Sequence, residues 1–505
     1  MADGTLNDEH PLTPQEIAAK LLALGMNQVE ARSRAQQLSR ATLGHRAAIE
    51  AYCDARVSPL LSEPEHQSID EFILDWWRHG GEVARLVERF SRNLELERIK
   101  ALELLTALLA APVLSVELCE ELHRTGLFPG PRPEQVMDAV VQLGLTTKNA
   151  ADQFLPPPPL HRMAGVVSQA VLGADADEVR TALAIFCEVM GDLDAAFTFR
   201  CQAGDLRWLE RRLEEDPGLC VSPAAVTSAQ MLHGRDLVAI RGVPLVLALL
   251  AFAGLAGAAT PSHALQRIQN LREHLADPVL IENNAQLAAV ALVDSLLGTR
   301  KELEHGIQER RAKLLNSLRS GTIRSDKEAA FAALAVAHSA ILDSEFAVAS
   351  NAAELGRLRT LNGSTSALRR ALTAMSAYAA MRLGEVRRAQ RILEIGLEER
   401  HLASVLDYWT SFSRLTAVLV ATEGNAAQDA LEGVDAVATV LADSPAWPHL
   451  LHARIRIARR FTPLVPDQIL ASTELINTGW QYQSVLSPQW QLAQPLADET
   501  SHAYA

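Results

Sequence analysis

The side chains in this chain that could do chemistry are few and thinly spread. His449 and His452 stand three positions apart, a spacing that puts two imidazoles on one helical face. A metal would need a third ligand, and none is near in sequence. The two are therefore read as surface histidines, and no metal ligand is assigned. Gly363-Ser364-Thr365-Ser366 lacks a Gly-x-Ser-x-Gly elbow and reads as a loop between helices. No Gly-x-x-x-x-Gly-Lys-Ser/Thr loop occurs. The nearest stretch, Gly254 to Thr260, has no lysine to reach a phosphate. The five cysteines, Cys53, Cys119, Cys187, Cys201 and Cys220, are scattered, with no Cys-x-x-Cys pair. They argue for a reducing compartment and against a zinc site, and Cys187 and Cys201 fall on apolar faces where packing is the usual role. No catalytic residue and no cofactor is assigned, and the chain is expected not to be an enzyme.

Arginine is the one functional side chain that clusters. Pairs occur at Arg310-Arg311, Arg369-Arg370, Arg387-Arg388 and Arg459-Arg460. One reading is a solvated helix surface with i, i+4 acidic partners, since Glu385 and Glu394 are close by. The other is a basic stripe in a groove that takes an acidic peptide or an anionic small molecule, with Arg369, Arg370, Arg387 and Arg388 as its candidate surface. Trp76-Trp77 is read as a packing wedge rather than a ligand platform.

Those residues need elements to hold them, and composition says what kind. Hydrophobic residues make up 48% of the 505 positions but aromatics only 5%; alanine and leucine dominate, and β-branched runs are scarce. The fold class expected is all-α. A net charge of −14 repels phosphate backbones, so no direct nucleic-acid binding is expected. The polar, acidic start from Met1 to His10 is not a secretory signal. Gly242 to Ser262 carries no charge, but its strongly apolar part, Leu245 to Leu255, is shorter than the ~20 residues a spanning helix needs. It reads as a buried helix with Pro244 in its first turn. No membrane association is expected, and the location expected is cytoplasmic.

A punctuation mark returns at a fixed interval. Turns at Ser344, Gly384 and Gly424 are each followed by a new apolar helical stretch, at intervals of 40 residues. Weaker turn sites at Gly257 and Gly298 extend the series upstream. A period in this range marks stacked helical hairpins, an architecture that binds rather than catalyses. Small residues such as Ala377, Ala380 and Ala389 let the helices approach closely and curve the stack, which predicts a concave docking surface.

Upstream of the repeats the organisation changes. Residues 1–60 hold a three-helix unit that opens on the capping box Thr13-Pro14-Gln15-Glu16. Residues 61–91 are a linker and a short helix, Ile69 to Arg78, bearing the tryptophans. Residues 92–172 have a winged-helix rhythm: helices at Leu94 to Ala110, from Ser115 to Gly126 and from Pro133 to Leu143, then an extended pair over Leu145 to Leu160. Its third helix would be the DNA reader, yet it carries Glu134 and Asp138, and the segment has seven Lys/Arg against nine Asp/Glu. Residues 173–222 form an arm with two Gly-Asp joints, Gly191-Asp192 and Gly204-Asp205. Hairpins fill 223–462. Residues 463–505 are an irregular tail with a helix at Asp467 to Asn477.

The order of these parts resembles the large MalT-like, LuxR-type transcription regulators of the STAND NTPase class. Residues 13–60 look like the lid of their nucleotide domain, although Gly44-His45-Arg46 lacks the proline that often follows there. Residues 92–172 look like their winged helix, including Leu160-His161. The Gly-Asp joints match their helical arm, and the repeats resemble their TPR-like sensor. Gly384, Val386 and Ala389 match the start and small positions of a repeat's second helix, while Arg387 and the missing tryptophan and tyrosine signposts depart from it. The family's P-loop domain and C-terminal helix-turn-helix have no counterpart here, so its ATP and DNA residues cannot be carried over.

The resemblance implies a non-catalytic regulatory or sensor protein that binds a protein partner or a small-molecule inducer in the repeat groove; self-association stays open. Two other readings stand beside it. One is a TPR-like interaction scaffold without signalling. The other is DNA binding through the winged helix at 92–172.

Overall fold

The computed structural model describes residues 10–57, 68–150, 153–234, 242–257, 283–297, 301–360, 366–398, 407–441, 444 and 446–461. The tail helix expected at Asp467 to Asn477, the linker at 58–67 and the turn at Gly298 lie outside them. Among the described residues the fold is all-α, with a single two-stranded sheet. The chain divides into two compact units, Met1–Ala203 and Gly204–Ala505. That division falls inside the 173–222 segment set apart above as an arm.

The first unit holds α1 (Pro14–Ala23), α2 (Gln28–Thr42), α3 (Arg46–Val57), α4 (Ile69–His79), α5 (Gly81–Leu94), α6 (Arg98–Ala110), α7 (Val116–Arg124) and α8 (Pro133–Gln142). Strands β1 (Thr147–Lys148) and β2 (Phe154–Leu155) pair antiparallel, with an isolated bridge from Leu114 to Phe154. Helices α9 (Pro158–Leu172), α10 (Ala176–Met190) and α11 (Leu193–Ala203) complete it. Local sequence sets most of these boundaries. The Thr13 hydroxyl accepts from the Glu16 amide while Glu16 reaches back to the Thr13 amide, so α1 starts on a complete capping box. Gly191 sits at φ +79° and the Asp192 carboxylate accepts the Ala195 amide, which ends α10 and starts α11.

Helix α5 corrects the expected boundary at 91/92, because it runs unbroken from 81 to 94. It has no side-chain cap at its start, where Gly80 stands, and it stops at Glu95 in the left-handed conformation. No local residue marks either end strongly. One continuous apolar core, from Leu12 to Phe199, joins α1 to α11. The tryptophans act as wedges within it. Trp77 is fully buried and its indole N–H donates to Thr106 Oγ1 of α6 at 3.0 Å; the Trp76 ring meets His45 edge-on at 5.6 Å.

The second unit begins with α12 (Leu206–Glu215), a 3-10 segment (Pro217–Val221), α13 (Pro223–Ala229) and α14 (Pro244–Gly257). The hairpins follow: α15 (Asn284–Leu297) and α16 (Lys301–Ser320), α17 (Asp326–Leu342) and α18 (Phe346–Arg359), α19 (Ser366–Arg382) and α20 (Val386–Glu398), α21 (Tyr408–Glu423) and α22 (Ala427–Leu441), then α23 (Trp447–Arg460). Helices α15, α17, α19, α21 and α23 form an inner row, each packed on the next; α16, α18, α20 and α22 form an outer row. The turns have one design. Ser344, Gly384 and Asn425 take φ of +61°, +80° and +60°, and each stands just before the next helix. In the third turn the left-handed residue is Asn425, one position past Gly424, because asparagine tolerates that conformation while Gly424 sits at φ −78°.

The predicted concave docking trough is not open. Helix α14 is apolar on every side, and a helix without a polar face has to be buried all round. Leu245 to Ala253 are each 3% exposed or less. Phe252 lies 5.1 Å from the Trp409 ring and 6.3 Å from Tyr408, so α14 touches α21 as well as its neighbour α15. The Pro217–Val221 segment, packed on α14, also packs on α17 and α19. The inner row therefore curls over α14. Its helices show the consequence: in α17 every residue from Ala329 to Leu342 is buried, and in α19 every residue from Ala367 to Met381 except Arg369 and Arg370.

Candidate functional site

The densest set of polar and aromatic side chains among the described residues is a seam through the inner row. It starts at Ser295 in α15. The Ser295 hydroxyl donates to the Leu292 carbonyl at 2.7 Å, which uses its one hydrogen. Its contact with His338 Nδ1, 2.8 Å, must then be donated by the imidazole. That leaves His338 Nε2 as an acceptor, and the Tyr408 hydroxyl donates to it at 2.7 Å. Proton order and tautomer are fixed along the whole line, which ties α15, α17 and α21 together.

Burial sets the chemistry of this line. His338 is fully buried, and desolvation pushes its imidazole down to about 3. It stays neutral and is too weak a base to activate Ser295. The Tyr408 phenol is pushed up by the same cause. A serine, a histidine and a tyrosine in hydrogen-bond sequence have the outward form of a catalytic relay, yet every proton is committed to a structural bond.

Rings continue the seam. Tyr408 meets Phe412 at 5.6 Å, Phe412 meets Tyr378 at 5.5 Å, and Tyr378 meets His449 at 5.4 Å, all edge-on. At the far end stands Arg382, the last residue of α19. Its guanidinium lies 4.3 Å from the Phe346 ring centroid. Its Nη1 donates to the Tyr378 hydroxyl at 3.0 Å and to His449 Nδ1 at 3.3 Å. Burial, with the Arg382 charge second, holds the His449 imidazole well below its usual range.

The sequence singled out some of these residues for other reasons. His449 is 4% exposed and part of this seam, not a surface histidine. No group of three or more metal-binding side chains occurs among the described residues. The four candidate arginines do not meet in one groove. Arg369 and Arg370 stand in the first turn of α19, and Arg387 and Arg388 in the first turn of α20, about 20 Å away along α19 at 1.5 Å per residue. Arg388 is held by Glu385 at 2.7 Å and Glu354 at 3.4 Å. Arg310 pairs with buried Asp294, and Arg311 with Asp343 and Glu345. The solvated reading with a local acidic partner describes Arg388 alone; Arg311 is buried, and both it and Arg310 pair with carboxylates far away in sequence. His338, Tyr378, Tyr408 and Arg382 were missed. Their one signal was aromatic density at Tyr408-Trp409 and Phe412 in an aromatic-poor chain.

A second buried group anchors α14. Glu210 of α12 is 6% exposed, and its two carboxylate oxygens accept the amides of Leu245 at 3.1 Å and Val246 at 2.9 Å. A distant side chain thus caps a helix whose own sequence offers no capping residue. Desolvation outweighs those two bonds and pushes the Glu210 carboxyl up to about 7.

In the first unit the exposed residues of α8 include Glu134 and Asp138, with Arg132 at its entry. An open cleft of about 450 Å³ between α1 and α2 is lined by Pro14, Ala18, Leu22, Arg32 and Gln36, with one charge among them. No helix among the described residues is long and apolar enough to cross a membrane.

No protein-family model matches the chain, and no curated protein does. A solved structure, a signal transduction ATPase with numerous domains (STAND) protein with a tetratricopeptide repeat sensor from Pyrococcus horikoshii, superposes with a TM-score of 0.40 at 11% identity, covering 95% of this chain and 68% of that one. A superposition of that quality fixes neither fold nor function.

Proposed function

We propose that this protein is a non-catalytic, cytoplasmic regulatory or sensor module, similar in its order of parts to the signal-sensing portion of MalT-like, LuxR-type regulators. The observation that carries the reading is the run of hairpins joined by left-handed turns at Ser344, Gly384 and Asn425, an architecture of recognition surfaces. The commitment of Ser295, His338 and Tyr408 to structural bonds supports the absence of catalysis. The order α6, α7, α8, β1 and β2 supports a winged helix, and the carboxylates on α8 support a regulatory rather than a DNA-reading role for it.

Recognition then belongs on the rims and the outer row. Six large side chains of α14, Leu245, Val246, Leu247, Leu249, Leu250 and Phe252, are buried, between α12, α13 and the Pro217–Val221 segment on one side and α15 and α21 on the other. At roughly 1.5–3 kcal/mol each, an upper bound, their burial is on the order of 10 kcal/mol. That is comparable with the whole stability of a domain, so no partner displaces α14 cheaply. Two measurements on the full chain, the first on purified protein, test the proposal. ATP turnover should stay at the no-protein background; a robust rate would overturn the non-catalytic reading. Cross-linking in cell extract should join the second unit to a separate protein bearing a P-loop domain or a basic helix-turn-helix. Cross-links only within the chain would overturn the regulatory one.

A further inference from the structure

The partly buried arginines of the hairpin array mostly face carboxylates. Arg310 meets Asp294, Arg311 meets Asp343 and Glu345, and Arg357 meets Glu354. Arg382 is matched differently. It too is partly buried, yet its partners are a phenyl ring, a phenol and an imidazole, and no carboxylate among the described residues pairs with it. Glu385, three positions after Arg382, is engaged on Arg388, and Glu345, the neighbour of Phe346, on Arg311. What balances its charge is the C-terminal end of α19 and the face of the Phe346 ring, with no anion among the described residues.

Its geometry is also fixed. Both hydrogens of Nη1 are used, one on the Tyr378 hydroxyl and one on His449 Nδ1, and the guanidinium plane is held against Phe346. Tyr378 is fully buried and His449 4% exposed, so neither support can swing away. Holding a long side chain this way removes its rotamer entropy before any ligand arrives. The donors that remain are Nε–H and the two Nη2 hydrogens. Two of them lie parallel along one edge of the guanidinium, the edge that matches two oxygens of a carboxylate or phosphate. Neither nitrogen is among the polar atoms sealed from solvent without a partner.

We infer that Arg382 is the recognition group of an oxyanion site at the end of the ring seam, and that it takes the carboxylate or phosphate of a small molecule through its free Nε–H/Nη2–H edge. Phe346, Tyr378 and His449 are positioning residues that present that edge. The site deepens the sensor reading by naming a ligand chemistry for it, but its existence rests on Arg382 alone, so it can fail while the ATP and cross-linking results stand.

The test uses the full chain with 15N-labelled arginine at pH 7, and sodium phosphate, sodium acetate and sodium chloride at matched ionic strength as probes. The Arg382 Nε–H resonance is identified by its loss in Arg382→Lys. It should shift saturably with phosphate or acetate and not with chloride, the stronger of the two showing which oxyanion fits. By protection against thermal unfolding, Arg382→Gln should bind the effective anion at least about tenfold more weakly, and Arg382→Lys should not restore it, because an ammonium has no parallel edge. Should Arg382→Gln unfold, Phe346→Leu replaces it; it keeps the charge, removes the ring that holds the plane, and should weaken the anion-dependent shift. A shift equal to that of chloride, or anion protection unchanged in the variants, would overturn the assignment.

Discussion

The hydroxyl of Tyr408 donates to Nε2 of His338 at 2.7 Å, and this bond joins two inner helices across 70 positions of chain. Both residues are buried, so the bond cannot be replaced by water at no cost. Tyr408→Phe should lower stability by about 1–2 kcal/mol, because it leaves a buried imidazole nitrogen without a donor. His338→Ala should cost more, about 3–5 kcal/mol, since it also opens a cavity and leaves the Tyr408 hydroxyl without its acceptor. Urea unfolding followed by tryptophan fluorescence reads both. Equal and negligible losses would mean that the line does not hold the array.

The pH dependence of stability should show two opposed slopes. Glu210 is raised to about 7, so the folded state holds its proton more tightly than the unfolded one. Its contribution is complete below the ordinary carboxyl value of 4.5 and is lost as pH rises towards 7. His338 is lowered to about 3 from 6.5, so its contribution is present above 6.5 and is lost as pH falls towards 3. Glu210→Gln removes the first slope and exposes the second. Stability of the variant should rise with pH between about 5 and 7 more steeply than that of the parent. Parallel profiles in chemical denaturation would contradict the burial assigned to Glu210.

Close helix approach makes a separate prediction. A Cβ at Gly356 would stand 2.8 Å from the Ala333 Cβ and 2.8 Å from Leu372 Cδ2, so α18 lies against both α17 and α19 with no room for a side chain. Gly356→Val should destabilise by about 1–3 kcal/mol through overpacking. Helix propensity alone favours replacing glycine, so a stabilised variant in thermal unfolding would show that the helices part easily.

Thiol reactivity offers a simple check on both units. Burial pushes Cys119, Cys187 and Cys201 up to about 12, and raises Cys220 well above the usual thiol range. Only Cys53 is partly exposed, and burial raises it too. In native protein at pH 8, a bulky thiol reagent should label Cys53 slowly and leave the other four intact. Fast labelling of Cys201 or Cys220 would show that their helices open.

Local chemistry made much of this fold readable. Thr13 with Glu16 starts α1, Asp192 and Asp205 start α11 and α12, and Gly384 turns α19 into α20; each is decided within four residues. What escaped depends on distance along the chain or on a missing mark. Helix α5 has no capping side chain, so nothing local separates it from α6. The candidate site was largely hidden. The bonds from His338 to Ser295 and Tyr408 span 43 and 70 positions, and no periodicity records them. The apolar run in α14 was legible as a buried helix. Its consequence, that the hairpins curl over it and close the trough, follows only once α14, α15, α21 and the Pro217–Val221 segment that packs on α17 and α19 are placed together.

The closed inner face is tested most directly by native-state hydrogen exchange in low urea, followed by mass spectrometry. Amides of α14 from Leu247 to Ala253 should exchange only in the same global opening that releases α17 and α19, with one common free energy and one common urea slope. Exchange of α14 through a smaller opening, while α17 and α19 stay protected, would mean that α14 is a removable occupant and that the array keeps an open trough beneath it.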